Sequence, residues 1–226
     1  ASTVTRDTIE RQQSNDLYDV IGTSAGVAID GGPRASGKSI AIRGFNDSED
    51  ILTRVDGATQ NFEKYRYGTS LELDPDLVRT VEVLRGAATL TEGSGAIGGV
   101  VLADTLDAAD LLAPDRQYGA RARAGYASND EGRRSSASAY GRPLDALDLL
   151  VSGTWRDTEL IELSDGRRLR DSAEQQWSSL LKAGVSTALG RWSASHRQGS
   201  VERLEPFDAT GNAVGLFGTV RRRTDD

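Results

Sequence analysis

Residues 32–39 read GPRASGKS, a full formal match to G-x-x-x-x-G-K-[ST]. That pattern binds phosphate when its amides and the N-terminus of a following helix converge on the anion. The next residues are Ser39-Ile40-Ala41-Ile42-Arg43-Gly44-Phe45. Isoleucine alternates there with small residues, which is the period of a strand. The apolar run ending in Asp that would hold Mg²⁺ is also missing, because ILTRVD carries Thr53 and Arg54 inside it. The expectation is a flexible Gly/Pro/Ser loop with a solvated Lys38, and a P-loop NTPase is a remote alternative. His196 is the only histidine. Imidazole suits iron, but a lone strand histidine is more often structural. No paired carboxylates, triad or metal-ligand spacing is present, so neither enzymatic activity nor a resident metal is expected.

A second stretch with unusual residue types is VEVLRGAATLTEGSGAIGGVV, residues 81–101. It begins as a strand, with Val81 and Val83 on one side and Glu82 and Leu84 on the other. It then passes through a loop with Gly93, Gly95, Gly98 and Gly99 and ends in Val100-Val101. Glycine serves where φ must be positive or another backbone must come close. Such a loop could cradle a phosphate, turn a corner or pack against a wall.

The elements that must carry these residues fall into two halves. Up to about residue 112 the chain reads as a small mixed α+β domain. TRDTIERQQ and SNDLYDVIG are short helical pieces, the second with Ser14 or Asn15 as N-cap. GVAID, SIAIRGF and ILTRVDG are short alternating strands. In LDPDLVRTVEVLRG, Asp74 caps a short helix with Pro75 at its first position, leading to a strand over residues 80–84.

From Tyr118 the pattern changes. YGARARAGYAS sets Tyr118, Ala120, Ala122, Ala124 and Tyr126 against Gly119, Arg121, Arg123 and Gly125. LDLLVSGTWRD sets Leu147, Leu149, Val151 and Trp155 against Asp148, Ser152, Thr154 and Arg156. QQWSSLLKAGVS sets Trp177, Leu181, Ala183 and Val185 against Ser178, Lys182 and Ser186. RWSASHRQGS and AVGLFGTVRRR are weaker examples. Strands that cross a membrane are apolar outside, polar inside and aromatic at the interfaces. Six are expected, near 118–128, 133–141, 146–157, 174–187, 191–203 and 213–223. Short connections (RPLD, ALG) alternate with longer ones (SNDEGRR, TELIELSDGRRLRDS, LEPFDATGN), as in barrels with short turns at one end and long loops at the other. A soluble antiparallel sheet with one wet face also alternates, so a secreted all-β binding module is a further alternative.

Composition agrees with a strand-crossing protein. The net charge is −7, which argues against a nucleic-acid partner. No Cys is available for a disulfide or thiolate site. No apolar run is long enough for a transmembrane helix. A hydrophobic fraction of 37% with 25 glycines fits alternating barrel strands better than a compact enzyme core. With no Met, the chain does not begin at a start codon, and a mature chain or an internal piece is expected. Six strands would leave open edges in lipid, so the expectation is an incomplete barrel, the N-terminal part of a longer one.

SIAIRGF, ILTRVDGATQNF, LDPDLVRTVEVLRGAATLTEGSGAIGGVV and DTLDAADLL resemble, in order and spacing over roughly residues 1–112, the plug domain of TonB-dependent outer-membrane receptors. VDGATQNF, LDPDLV and DTLDAADLL resemble the haem and haemoglobin receptor branch in particular. The resemblance implies an α+β plug over 1–112, threaded inside an antiparallel transmembrane β-barrel of about 22 strands. Residues 113–226 would be the first part of that barrel. It implies a place in the outer membrane of a Gram-negative bacterium, among its lipid, with energy supplied by TonB. Haem, free or from haemoproteins, is the implied ligand for iron acquisition, and a ferric siderophore is the alternative.

Arg43 and Arg85, each followed by Gly, match plug arginines that face barrel carboxylates, and Glu82 matches a plug glutamate of the same cluster. The glycine loop would pack the plug backbone against itself and the wall. The plug apex in this family tends to follow the VDG strand, here Phe62, Glu63, Lys64, Tyr65, Arg66 and Tyr67. Phe62, Tyr65 and Tyr67 suit a porphyrin face, Lys64 and Arg66 suit its propionates, and a tyrosine phenolate can ligate haem iron. An ordinary exposed loop accounts for these residues equally well. Ala87 stands where family plugs carry Pro, and the histidine found in many haem-receptor plugs is missing.

Overall fold

The computed structural model describes residues 1–35, 38–46, 50–60, 73–86, 96–206 and 219–225. The chain divides into two compact units, Ala1–Thr105 and Leu106–Asp226.

In the first unit, β1 (Ser2–Thr5), β6 (Val78–Arg85), β7 (Gly99–Thr105), β4 (Ile51–Val55) and β5 (Ala58–Thr59) form one sheet in the order β1-β6-β7-β4-β5. Only β4 and β7 run parallel; the other pairs are antiparallel. β2 (Val27–Gly31) and β3 (Lys38–Ile42) make a separate hairpin. The described residues also form two short helices, α1 (Arg6–Gln12) and α2 (Leu17–Gly22), and a 3₁₀ turn at Pro75–Leu77. The 3₁₀ turn carries the expected features, with Asp74 accepting from the Asp76 N–H and Pro75 at its start.

The core joins Leu17, Tyr18, Val20 and Ile21 of α2 with Ile40 and Ile42 of β3 and with Val81, Val83, Val101 and Ala103 of the sheet. Each strand contributes alternate residues, which is why VEVL buries its valines and leaves Glu82 and Leu84 half-buried. The N-cap of α2 is Asp16 rather than Ser14 or Asn15, and its carboxylate accepts from the Asp19 N–H at 2.9 Å. Any of the three side chains can cap a helix, and the start of the buried Leu17–Ile21 run selects the residue just before it.

In the second unit, β8 (Tyr118–Ala127), β9 (Gly132–Leu144), β10 (Leu147–Thr158), β11 (Glu174–Thr187), β12 (Gly190–Pro206) and β13 (Thr219–Asp225) form an antiparallel meander, each strand paired with the next. The expected strands are all present. The last is described over Thr219–Asp225, and residues 207–218, where its expected start falls, lie outside those described. α3 (Ala108–Leu111) packs on β9 and β10 and so groups with the strands. β8 to β12 run 10, 13, 12, 14 and 17 residues, each enough to cross a bilayer.

The register aligns one apolar face. Val151 lies opposite Ala139 and Leu181, Leu149 opposite Ala183, and Trp155 opposite Trp177. Tyr118, Tyr126, Leu149, Val151, Trp155, Trp177, Leu181, Val185 and Trp192 are all exposed on it. Tyr118 and Tyr126 stand about 26 Å apart along β8, close to the height of a membrane barrel's apolar band. No helix among the described residues is long and apolar enough to cross a membrane, which leaves crossing by strands open.

Candidate functional site

The two Arg-Gly pairs build one corner of the first unit. β3 turns back at Arg43-Gly44: the Ile42 N–H donates to the Phe45 carbonyl at 2.8 Å, and the Phe45 N–H donates to the Ile42 carbonyl at 3.0 Å. Both central residues have positive φ, 52° at Arg43 and 88° at Gly44, so this is a type I′ turn. β6 ends at Arg85 and leaves through Gly86, also at positive φ, whose N–H donates to the Gly98 carbonyl at 2.9 Å.

A Cβ at Gly86 would stand 3.6 Å from Arg43 Nη1, and one at Gly26 would stand 3.6 Å from Arg85 Cδ. The Arg43 N–H donates to the Gly26 carbonyl, and Arg85 Nη2 donates to Ser2 Oγ. Arg43 and Arg85 therefore share a corner floored by glycine backbone. Among the described residues no carboxylate pairs with either, and Arg85 Nε is buried without a hydrogen-bond partner. The planar fork of a guanidinium matches a carboxylate.

Glu82 does not join them. It lies opposite Thr3 and Leu102 on the face of β6 away from Val81, Val83 and Arg85. A separation of three residues along a strand reverses the face.

The glycines at the start of β7 are used for close approach. A Cβ at Gly99 would fall 2.5 Å from the Leu84 carbonyl oxygen, and one at Gly98 would fall 2.6 Å from Phe45 Cβ. Gly93 and Gly95 lie outside the described residues.

Other expected residues are placed elsewhere. Lys38 opens β3, as the strand reading of GPRASGKS requires, but it is not solvated. Its side chain is 12% exposed and bridges Asp16 at 2.8 Å and Asp19 at 2.5 Å. Burial works to lower the Lys38 pKa, but hydrogen bonds and charge from the two carboxylates outweigh it and hold the ammonium above its usual range. The Lys thus ties the hairpin to the capped end of α2, a long-range pairing that local sequence does not signal. His196 lies opposite Leu181 on the exposed apolar row of the second unit. Phe62, Lys64, Tyr65, Arg66 and Tyr67 lie outside the described residues. Among the described residues no group of His, Cys, Asp and Glu could hold a metal ion. Sequence reading also missed Asp107, Asp148, Lys182 and Arg191, which meet on the polar face of the second unit.

A small mixed sheet with two Arg-Gly turns is followed by an antiparallel meander with one exposed apolar face, the pattern of wall strands in a membrane β-barrel. Residues 1–100 match the family model for the TonB-dependent receptor plug domain. Over 212 residues, 92% of this chain, the sequence is 34% identical to the TonB-dependent heme receptor A of Haemophilus ducreyi, of which it spans 28%. It is 37% identical over 163 residues, 72% of this chain, to the Hemin receptor of Yersinia enterocolitica, of which it spans 23%. The structure matches the FrpB iron transporter of Neisseria meningitidis (F3-3 variant) with a TM-score of 0.85 at 25% identity, covering 98% of this chain and 36% of that one. The chain belongs to the TonB-dependent receptors. Its fold is their α+β plug followed by the first antiparallel strands of the wall, and it spans about a quarter to a third of the length of these relatives.

Proposed function

We propose that this chain is the plug, with its linker running to about residue 112, and the first wall strands of an outer-membrane transporter that takes up haem or haem from haemoproteins. TonB would supply the energy, and the role is transport rather than catalysis. The observation that carries the ligand class is that the similarity to a haem receptor runs through both units, over 92% of the chain, rather than through the plug alone. Among the described residues β8 and β13 each pair on one side only, so closure of the wall calls for further strands. Phe62, Lys64, Tyr65, Arg66 and Tyr67 are proposed to meet the ligand at the apex. Arg43 and Arg85 are proposed to lock the plug by pairing with wall carboxylates; Glu82, on the other face of β6, would act separately from that pair.

The test is a haem titration of the full-length receptor followed by absorption spectroscopy. The expected result is saturable binding, weakened about 2- to 10-fold by Tyr65→Ala or Tyr67→Ala through loss of ring packing. A receptor that binds a ferric siderophore and no haem would leave the transporter reading standing and remove the haem reading.

A further inference from the structure

The chain passes from one unit to the other within three residues, and each side of the crossing is pinned. Thr105 ends β7 fully buried. Its N–H donates to Asp56 Oδ1 at 2.9 Å and its Oγ1 donates to Asp56 Oδ2 at 2.6 Å. Asp56 sits in the turn between β4 and β5, so this latch belongs to the first unit.

Leu106 follows, 1% exposed, and then Asp107 at the start of α3. Asp107 Oδ1 lies 3.2 Å from Lys182 Nζ, with the two side chains 15% and 9% exposed. Asp107 Oδ2 lies 3.8 Å from Arg191 Nη2. The same guanidinium donates to both oxygens of Asp148, at 2.7 Å and 3.0 Å. Lys182 and Arg191 stand on β11 and β12 and meet one carboxylate of the linker, while Asp148 on β10 holds the Arg191 guanidinium. Gly184 makes room for them, since a Cβ there would fall 2.5 Å from Arg191 Nη2 and 2.8 Å from Asp148 Oδ2. Within α3 the Asp107 N–H donates to Asp110 Oδ2 at 2.7 Å, which fixes the carboxylate's own backbone.

We infer that the Asp107–Lys182–Arg191–Asp148 network is a clamp that makes residues 106–112 part of the wall, so that any displacement of the plug stops at Leu106. On this face the charge pairs stand beside the buried Leu150 and Leu180, and they add a directional hold on the linker carboxylate. Lifting Asp107 away would leave Lys182 nearly buried without its linker carboxylate, and breaking one side of such a pair is costly. The clamp rests on the plug-and-wall assignment and is independent of which ligand the receptor carries.

Hydrogen exchange of the full-length receptor in detergent, read by mass spectrometry, separates the two pins. Asp107→Asn is expected to speed exchange across 106–112 by about 10-fold or more while residues 99–105 keep their protection. Lys182→Met should do the same, and the double variant should add little. Asp56→Ala should have the opposite pattern, releasing 99–105 and leaving 106–112 protected. Heat-dependent gel mobility verifies that the barrel is intact; if Lys182→Met prevents assembly, Asp107→Asn, on the linker itself, decides. The clamp is overturned if Asp107→Asn leaves 106–112 unchanged, or if Asp56→Ala releases 106–112 together with 99–105.

Discussion

An arginine at φ 52° is an unfavourable choice for the first position of a type I′ turn, where Asn, Asp or Gly fit without strain. At Arg43 the backbone accepts that strain and the side chain reaches over Gly86, beside Arg85. Strain held at a residue whose side chain lies over the second Arg-Gly pair points to a role for the charge rather than for the turn. Arg43→Gly should therefore relieve about 1 kcal/mol of turn strain and leave the plug at least as stable. In the full-length receptor it should nevertheless raise passive permeability to small solutes, as should Arg85→Ala. Liposome-swelling rates alongside thermal melts check this. Permeability that stays at the native level in both variants, with normal folding, counts against the lock. The two Arg-Gly pairs were legible as candidates in the sequence. Their convergence was not, because the turn after β3 and the end of β6 meet through Gly26, which is distant from both along the chain.

At the scale of elements, VEVLRG…GSGAIGGVV becomes two antiparallel strands whose backbones touch. Arg85 pairs with Gly99, and Gly99 sits so close to the Leu84 carbonyl that no side chain fits. Gly99→Ala should force β6 and β7 apart and cost about 1–3 kcal/mol, read as a lower urea midpoint for plug unfolding. Gly44 is the useful contrast. Nothing lies within 4 Å of a Cβ there, so its cost would come from the positive φ alone. Helix and strand positions followed from period and capping chemistry. The choice of Asp16 as N-cap and the burial of Lys38 did not, because both depend on β3 lying against α2.

For the molecule as a whole, the decisive pattern is the apolar face shared by β8 to β12. Val151 sits midway between Leu147 and Trp155, with Leu181 opposite. A charge there would face hydrocarbon, whereas one at Tyr126 would reach the interface. Val151→Arg is expected to destabilise the receptor by about 2–4 kcal/mol, against about 0–1 kcal/mol for Tyr126→Arg. Reversible denaturant titration of the receptor folded into phospholipid vesicles measures both. Equal costs at the two positions would argue that this face is not turned to lipid. His196, a metal candidate on chemistry alone, lies in the same row, which sets it apart from the polar face of the strands.

The sequence by itself determined the division into a mixed α+β half and a strand half, the identity of nearly every strand, and the face each wall residue takes. Those features are written in local periodicity and turn residues, which act over a few positions. Tertiary structure alone decided which charges meet. Lys38 finds Asp16 and Asp19, and Asp107 finds Lys182 and Arg191, while Glu82 is carried to the opposite face from Arg85. Partners so far apart along the chain are set by strand order and register, and a charged residue's own neighbours in sequence carry no signal of the side chain it will meet across a sheet.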